Sequence, residues 1–385
     1  MNTKQKNFFI LISGFNLNDS NRGTAALAYG SLSFLTKEGF LDENNQVLVI
    51  WPYGNPFKLT NFVDREESIS QGNRTYKITY RSIWKFEYFL LRHGIIIPFS
   101  KLNKLLRKVK LVAAINVGDG FSDIYGTKIF NERLYDTFAA IKKNIPLIIL
   151  PQTLGPFANL NNYTKAKQIL SYAKQIYVRD NKFISNLDEI GVQYIETKDL
   201  SYYMLPEPFD IDIKDGAIGI NISGLAYFNN FGPLAGQFAN YPLLIKEIVR
   251  YFQEKNKYIY LISHSYDYVS PCINNDDLIA SRDFYKNLKN KHNIFLVDKN
   301  LSSPKTKYLI SKMAFFVGTR MHANFAAIYT NVPLFGLAYS YKFQGAFEAN
   351  GIYGQTALIN NIKESDIPLI LNKINNTYNK HLVIK

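Results

Sequence analysis

The sequence predicts an α/β protein built from two Rossmann-like domains that face each other across a cleft. Short apolar segments alternate with longer amphipathic ones, as in parallel sheets covered by helices. The rhythm breaks once, between Lys198 and Lys214, where Pro206 and Pro208 stand among several acids. The length of 385 residues also suggests two domains.

The N-terminal domain is predicted over residues 1–198. Its first strand, Phe8–Ser13, leads into a polar loop containing glycine and then a helix, Thr24–Leu35. This is the first βα turn of a nucleotide-binding-like half. The loop has neither G-x-G-x-x-G nor G-K-[ST], so it is neither a dinucleotide fingerprint nor a P-loop. The other predicted strands are Val47–Trp51, Thr75–Tyr80, Leu111–Asn116, Pro146–Leu150 and Ile176–Val178, and the other helices are Ile83–His93, Asn131–Lys142 and Tyr163–Lys174.

A linker is predicted over residues 199–214, a C-terminal domain over 215–360 and a helical tail over 361–385. The C-terminal domain restarts the alternation of strands and helices. Its predicted strands are Ala217–Ile222, Tyr258–Ser263, Ile294–Val297, Ala314–Val317 and Leu334–Ala338, and its helices are Leu243–Phe252, Asp276–Leu288, Pro304–Lys312 and one from about Met321 to Tyr329. Loops that follow the strands of both domains would line the cleft.

The charge balance favours an anionic partner, because the formal net charge is +14 at pH 7. The basic residues are dispersed, and the densest cluster lies between Lys101 and Leu111. This stretch predicts either a basic amphipathic helix on acidic phospholipid or a solvated helix face beside a core strand. No zinc-finger spacing, RNP-type motif or recognition-helix signature is present, so no nucleic-acid partner is expected.

Cysteine usage and hydropathy indicate a cytoplasmic protein. Cys272 is the only cysteine, so no disulfide forms within the chain. No apolar run approaches the roughly 20 residues that span a bilayer. The N-terminal apolar run has no cleavage site and is interpreted as a strand rather than a signal peptide. Peripheral contact with the inner face of the membrane remains open.

The sharpest chemical feature is the stretch Ala314–Asn324, A-F-F-V-G-T-R-M-H-A-N. It predicts a buried strand, closed by Gly318, and then a helix with Thr319 as a plausible N-cap. A helix N-terminus attracts anions, and Arg320 adds a planar fork suited to phosphate or carboxylate. His322 can gain or lose a proton near neutral pH. The alternative is a solvated arginine beside a histidine that caps the helix.

Four motifs in order, P-Q-T-L-G-P-F, Y-V-R-D, V-G-T-R-M-H-A and L-A-Y-S-Y-K-F, resemble the polysaccharide pyruvyl transferases. The resemblance extends over nearly the whole chain, from about Ser13 to Gly345. It implies a GT-B-like fold and a reaction in which phosphoenolpyruvate donates its three-carbon unit to two hydroxyls of one sugar. The product is a cyclic ketal, and phosphate is released. Phosphoenolpyruvate is then a co-substrate, and neither a cofactor nor a metal is expected.

The same resemblance implies a donor site. Arg179 and Arg320 would grip the two anionic ends of the donor, and Met321 would contribute its backbone N–H. His322 would be the general acid that protonates the methylene carbon. Lys342 is a second candidate phosphate contact, with an exposed surface lysine as the alternative.

An acceptor side is also implied. Asp119 and Asp123 lie in a glycine-rich loop, where either would orient the acceptor hydroxyls or act as base, with loop capping as the alternative. The remaining candidates for the cleft are Asn21, Gly23, Gly118, Gln152 and His264.

The first loop departs from the family pattern N-x-G-D, because Thr24 replaces the acid. This departure weakens the acceptor assignment more than the donor chemistry. The neighbouring Arg22 would favour a charged or lipid-diphosphate-linked acceptor, and Thr153 would support the cleft or cap its turn.

Two other functions stay open beside a pyruvyl transferase of surface or capsular polysaccharide assembly. A GT-B glycosyltransferase would use a nucleotide sugar and hold its ribose with a late carboxylate, for which Glu348 is the candidate. A non-catalytic scaffold would have a decayed site, and the missing acid at Thr24 is its only support. The acceptor is expected to be a repeat-unit sugar, with a lipid-linked form as one option.

Overall fold

Two twisted sheets organise the structure, a computed structural model that describes residues 8–43, 45–53, 64–95, 97–339 and 341–382. The chain divides into two units. Unit 1 comprises residues 1–16 and 27–204, and unit 2 comprises residues 17–26 and 205–385. The segment expected to be a linker is shared, because residues 199–204 belong to unit 1 and residues 205–214 to unit 2. Residues 17–26, expected in the N-terminal domain, belong to unit 2.

Unit 1 contains an eight-stranded sheet in which one hairpin is antiparallel and every other pairing is parallel. Its strands are β1 (Phe8–Ser13), β2 (Asn45–Tyr53), β3 (Arg65–Gln71), β4 (Arg74–Trp84), β5 (Val109–Ala114), β6 (Leu147–Gln152), β7 (Gln175–Val178) and β8 (Ile195–Glu196). The order is β3-β4-β2-β1-β5-β6-β7-β8. The direction of chain progression reverses between β1 and β5, and ligands of open α/β sheets bind at such a point.

Eight helices belong wholly or largely to unit 1 among the described residues. They are α1 (Arg22–Lys37), α2 (Lys85–Arg92), α3 (Lys101–Leu106), α4 (Thr127–Arg133), α5 (Tyr135–Lys143), α6 (Leu160–Tyr172), α7 (Ile184–Ile190) and α8 (Leu200–Tyr203). β6 is buried at every position, as expected for a central parallel strand covered on both faces.

Unit 2 contains a six-stranded sheet whose pairings are all parallel. Its strands are β9 (Ile218–Asn221), β10 (Ile259–Leu261), β11 (Ile294–Leu296), β12 (Phe315–Gly318), β13 (Leu334–Ala338) and β14 (Thr356–Leu358). The order is β11-β10-β9-β12-β13-β14, so the switch point lies between β9 and β12. Its helices are α9 (Gly224–Phe228), α10 (Tyr241–Glu254), α11 (Asp277–Asn287), α12 (Ser303–Ser311), α13 (Met321–Ile328), α14 (Tyr341–Glu348) and α15 (Ile367–Leu382), with two short 3₁₀ turns at Gly232–Leu234 and Glu364–Asp366.

The C-terminal helix completes the core of unit 2. In α10, Ile245, Ile248 and Phe252 face the sheet at helical spacing. Tyr378 of α15 packs edge-on against Phe252, with ring centroids 5.4 Å apart. Ile374 is fully buried in the same core. The segment 361–385, predicted as a closing tail, is therefore integral to unit 2 over its described part.

Several predicted elements differ from the structure. The strand β3 was missed because Arg65–Gln71 carries too few apolar residues, and pairing with β4 stabilises it instead. Of the two alternatives given for Lys101–Leu111, the structure has the solvated helix face beside a core strand, because α3 ends at Leu106 and β5 begins at Val109. The helix predicted over 131–142 is broken at Leu134. No helix within the described ranges is long and apolar enough to cross a membrane.

Candidate active site

The stretch from β12 to α13 forms one side of the switch point in unit 2. Arg320, not Thr319, occupies the N-cap position of α13, and its side chain does not cap the helix. The Thr319 hydroxyl lies 2.7 Å from the hydroxyl of buried Tyr241 instead. The predicted Thr319 cap was therefore wrong, and Arg320, Met321 and His322 stand at the very start of the helix.

The Arg320 guanidinium is clamped by a carboxylate that sequence reasoning missed. Its Nη2 and Nε donate to Oδ1 of Asp277 at 2.7 and 3.0 Å. Nη2 also donates to the side chain of Asn275 at 2.7 Å. Burial opposes the charge of Arg320, but Asp277 outweighs it and raises the pKa of the guanidinium. Among the described residues only Nε and Nη2 are engaged, so Nη1 remains available to a ligand.

Asp277 organises the surrounding loops as well as Arg320. Its fully buried carboxylate accepts backbone N–H groups from Gly224 at 2.9 Å and from Ser265 at 3.0 Å. Asn221, at the end of β9, donates its amide to the same carboxylate at 3.2 Å and accepts the N–H of Arg320 at 2.8 Å. The only sequence signal for Asp277 is its place in N-N-D-D-L at a helix start, which reads as an ordinary capping acid.

Segment 17–26 reaches the His322 side chain through Gly23. A Cβ added to Gly23 would lie 2.6 Å from His322 Nδ1, so only glycine permits this approach. Asn21 Oδ1 accepts the Gly23 N–H at 2.9 Å. The backbone N–H of Arg22 donates to the carbonyl of His264 at 3.0 Å. The structure therefore brings Asn21, Gly23, His264, Arg320 and His322 together within unit 2, although the sequence assigned the first three to the acceptor side or the cleft.

Arg22 serves as an anchor rather than as a ligand contact. Its Nε donates to the carbonyl of Leu301 at 2.7 Å, and its guanidinium carbon lies 4.2 Å from the centre of the Tyr266 ring. Its Nη2 donates to Asn300 at 3.1 Å. The side chain is buried and committed to these groups, which leaves no support for a contact with a charged acceptor. Its role is to hold segment 17–26 on unit 2.

His264 is buried and stays neutral near pH 7. Burial, followed by the proximity of His322, Arg22 and Arg320, lowers the pKa of His264 well below its usual value. A buried neutral imidazole cannot donate a proton as an imidazolium, so His264 is unsuited to be the general acid.

This burial makes stability depend on pH in a specific direction. Unfolded His264 takes up a proton near pH 6.5, whereas folded His264 does not, so the free energy of unfolding falls as the pH drops below that value. Relative to His264→Gln, wild-type protein should lose about 1.4 kcal/mol per pH unit below pH 6.5. Urea unfolding between pH 5 and pH 8 measures this gap. Exposed His292→Gln is the control, and a gap that does not change with pH would contradict the burial effect.

In unit 1, the loop after β5 has a strained backbone at the switch point. Asn116, Val117 and Gly118 have φ angles of 48°, 60° and 84°. A β-branched residue in the left-handed region is a true outlier, and such strain concentrates at functional sites. The Asn116 side chain is buried, and neither its amide nitrogen nor its amide oxygen has a hydrogen-bond partner among the described residues. Sequence reasoning chose Gly118, Asp119 and Asp123 in this loop and missed Asn116 as a site residue.

Arg179 in unit 1 is held in the way Arg320 is held in unit 2. Its Nη1 donates to buried Asp199 at 2.7 Å, and its Nε donates to the hydroxyl of Thr153 at 3.2 Å. Burial opposes its charge, but Asp199 and then Asp180 outweigh it and raise the pKa of the guanidinium. Asp199 lies in the segment expected to be a linker, so its ion pair with Arg179 was not predicted from the sequence.

Gly118 and Asp119 lie near the Arg179 guanidinium, and the backbone carbonyl of Gln152 accepts the Arg179 N–H at 3.4 Å. A Cβ on Gly118 would lie 3.1 Å from Arg179 Nη1. Gln152 is fully buried, and its amide nitrogen donates to the carbonyl of Ala114 at 2.8 Å. Asp119 accepts the hydroxyl of Tyr125 at 2.8 Å and contributes to the raised pKa of Arg179.

Asp123 caps the turn that leads into α6, whose own N-cap residue is Asn159. Its carboxylate accepts the backbone N–H groups of Ala158 and Asn159 at 3.0 and 2.9 Å, and the amide of Asn162 at 3.1 Å. Partial burial opposes ionisation, but the N–H groups of Asn159 and Ala158 outweigh it and lower the pKa of Asp123. This is the loop-capping alternative, and a carboxylate so stabilised is a weak base.

The two remaining donor-site candidates are Met321 and Lys342. Met321 is partly buried and packs its side chain against the core of unit 2. Lys342 belongs to α14, but its side chain lies outside the described part of the structure.

Comparison with protein families decides the relationship that the site suggests. The family model described as polysaccharide pyruvyl transferase matches residues 21–341 of the chain. The chain belongs to the polysaccharide pyruvyl transferase family. The match includes both clamped arginines and the histidine at the start of α13. No curated protein sequence matches the chain significantly.

Solved structures place this pyruvyl transferase family member in the GT-B class. The chain is similar to the UDP-GlcNAc 2-epimerase of Methanocaldococcus jannaschii, with a TM-score of 0.54, 11% identity and coverage of 96% of this chain and 92% of that one. A UDP-GlcNAc 2-epimerase from Neisseria meningitidis, solved bound to UDP-GlcNAc, gives a TM-score of 0.54 and 12% identity over 97% and 93% of the two chains. At such identities the similarity establishes the fold, and the predicted α/β GT-B-like class is confirmed.

Proposed function

We propose that the protein transfers the pyruvyl group of phosphoenolpyruvate to two hydroxyls of one sugar as a cyclic ketal, in surface or capsular polysaccharide biosynthesis. The main support for this proposal is the match of residues 21–341 to the polysaccharide pyruvyl transferase family. The family is one of transferases and implies, in general terms, a phosphoenolpyruvate donor and a sugar acceptor. The geometry around His322 supports the chemistry proposed below.

Arg320 and the start of α13 would bind the donor. Phosphoenolpyruvate carries a phosphate and a carboxylate, and both suit an arginine nitrogen and a helix N-terminus. Because Asp277 holds Nε and Nη2, the remaining Nη1 of Arg320 is fixed in direction before the donor arrives. Such preorganisation reduces the ordering that binding requires.

His322 would act twice in the reaction. Its protonated ring gives a proton to the methylene carbon, which becomes a methyl group and leaves a cationic centre at C2. The first sugar hydroxyl attacks C2 and returns its proton to the now neutral His322. The bond from C2 to the phosphate oxygen then breaks. The second hydroxyl attacks C2 and closes the ring, and its proton leaves with the phosphate.

The remaining assignments stay predictions. Arg179 and Lys342 are proposed donor contacts, and Asp119, Gly118 and Gln152 are proposed acceptor contacts. A lipid-linked sugar presented at the cytoplasmic face of a membrane is the proposed form of the acceptor. No metal or cofactor takes part in the proposed steps.

The test is phosphate release from phosphoenolpyruvate with galactose-, mannose- and glucose-type acceptors, both free and lipid-linked. We expect acceptor-dependent release together with a product whose mass has grown by one pyruvyl ketal. A glycosyltransferase would instead be protected from thermal unfolding by UDP or GDP and not by phosphoenolpyruvate. Protection by neither class of ligand, with no phosphate release across the panel, would favour the scaffold.

A further inference from the structure

Helix α2 of unit 1 carries a row of aromatic rings on its exposed side. The ring centroids of Trp84 and Phe86 are 4.9 Å apart, and those of Phe86 and Phe89 are 6.0 Å apart. The ring centroid of Phe89 lies 4.5 Å from that of His93. Phe86 and Phe89 are 43% and 54% exposed, whereas Tyr88 and Leu91 turn the opposite side of the helix into the core. The exposed side of α2 therefore carries large apolar side chains.

The loop after α2 extends this apolar surface. Ile95, Ile97 and Phe99 are exposed by 53%, 43% and 81%. Together with Trp84, Phe86 and Phe89 they are six large apolar side chains exposed within one short segment. We call these six residues the aromatic face. Such concentrated exposure marks an interaction surface, since isolated exposed apolar residues are ordinary but clusters are not.

Basic residues adjoin the aromatic face. Residues 84–110 contain seven lysines and arginines and one acid, Glu87. Glu87 accepts the backbone N–H of Leu102 at 2.9 Å and so ties α2 to α3. Lys104, Arg107 and Lys108 are exposed, and no acidic side chain within the described ranges forms an ion pair with them. An apolar surface beside unpaired positive charge complements a bilayer with anionic head groups.

We propose that the aromatic face docks unit 1 onto a membrane surface rich in anionic phospholipid. Tryptophan and phenylalanine would enter the boundary between head groups and acyl chains, while Lys104, Arg107 and Lys108 contact lipid phosphates. The surface differs from the basic amphipathic helix that was one alternative for Lys101–Leu111, because its apolar part comes from α2 and the loop that follows α2. Docking requires neither phosphoenolpyruvate nor a sugar, so it is tested separately from the proposed reaction.

The protein supplies its own probe. Trp51 and Trp84 are the two tryptophans, so Trp51→Phe leaves Trp84, in the aromatic face, as the only indole. On vesicles that mix phosphatidylglycerol with phosphatidylcholine we expect a blue shift of Trp84 emission and quenching by lipids brominated on their acyl chains. Vesicles of phosphatidylcholine alone should give much weaker binding.

Two sets of variants in the full-length chain separate the apolar and electrostatic contributions. Phe86→Ser with Phe89→Ser should weaken vesicle binding by about 100-fold. The apolar control is the double variant Tyr353→Ser with Leu369→Ser, which changes two other exposed apolar side chains. Lys104→Gln, Arg107→Gln and Lys108→Gln together should weaken binding by about 100-fold, at roughly fivefold per charge. The charge control changes Lys286, Lys289 and Lys291, which are also exposed, to Gln.

Several results would overturn the proposal. If the charge control weakened binding as much as the changes at 104, 107 and 108, overall net charge alone would explain adhesion. Unchanged affinity after the Phe86 and Phe89 changes, or no binding to anionic vesicles, would remove the aromatic face as a lipid surface. A fall in sedimentation mass from dimer to monomer in that double variant would show that a second copy of the chain covers it.

Discussion

His322→Gln is expected to lower acceptor-dependent phosphate release by about 10²- to 10⁴-fold, the usual contribution of a general acid. Glutamine preserves much of the size and polarity of the ring but cannot transfer a proton. Because His322 is only partly buried, the free energy of unfolding should change by no more than about 1 kcal/mol. Initial rates with saturating phosphoenolpyruvate, and urea unfolding of the same preparation, measure the two effects.

Exposed His292→Gln is the matched control for this change and should retain wild-type rates. Normal turnover in the His322→Gln variant would contradict the assignment of His322 as the general acid. A rate loss that accompanied equally severe unfolding would show a structural role instead.

Asp277→Ala is expected to lower the free energy of unfolding by about 3–5 kcal/mol. The substitution leaves the guanidinium of Arg320 buried without its counter-ion and removes the acceptor for the N–H groups of Gly224 and Ser265. A buried charge deprived of its partner is among the largest single-residue penalties. Urea denaturation gives the change, and Asp277→Asn, which keeps the hydrogen-bonding shape, should be intermediate.

The chain offers an exposed ion pair for comparison. Arg282 donates to Asp298 at 2.6 and 2.8 Å on the surface. Asp298→Ala should therefore cost no more than about 1 kcal/mol. Equal losses at Asp277 and Asp298 would contradict the view that burial gives the Arg320 clamp its strength.

The fold was predictable from sequence because parallel strands are continuous apolar runs. Phe8–Ser13 and Leu334–Ala338 are strands over the predicted residues, and both are bounded by glycine or proline and polar loops. Elements stabilised by their partners were missed. The polar strand Arg65–Gln71 depends on its hairpin with β4. The short helix Gly224–Phe228 was missed between the predicted strand Ala217–Ile222 and the predicted helix Leu243–Phe252.

The site residues that could be predicted from the sequence lie in the connections between a strand and the helix that follows it. His322, Arg320 and Gly23 come from such places, and the structure gathers them in unit 2. The partners Asp277 and Asp199 were not predictable, because each looks like an ordinary helix-capping acid in the sequence. Only the fold, which brings Asp277 next to Arg320 across 43 residues of chain, shows the pairing.

The membership of residues 17–26 in unit 2 has a consequence for dissecting the protein. A fragment that starts at residue 205 would lack Arg22, exposing the face of the Tyr266 ring and leaving the Leu301 carbonyl without its guanidinium donor. On the ribosome, Arg22 is made 279 residues before Leu301, so most of the chain must emerge before this contact can form. Long sequence separations of this kind slow folding. Unit 2 should therefore finish folding late during translation. A fragment made to contain unit 2 alone should include residues 17–26, covalently linked to residues 205–385.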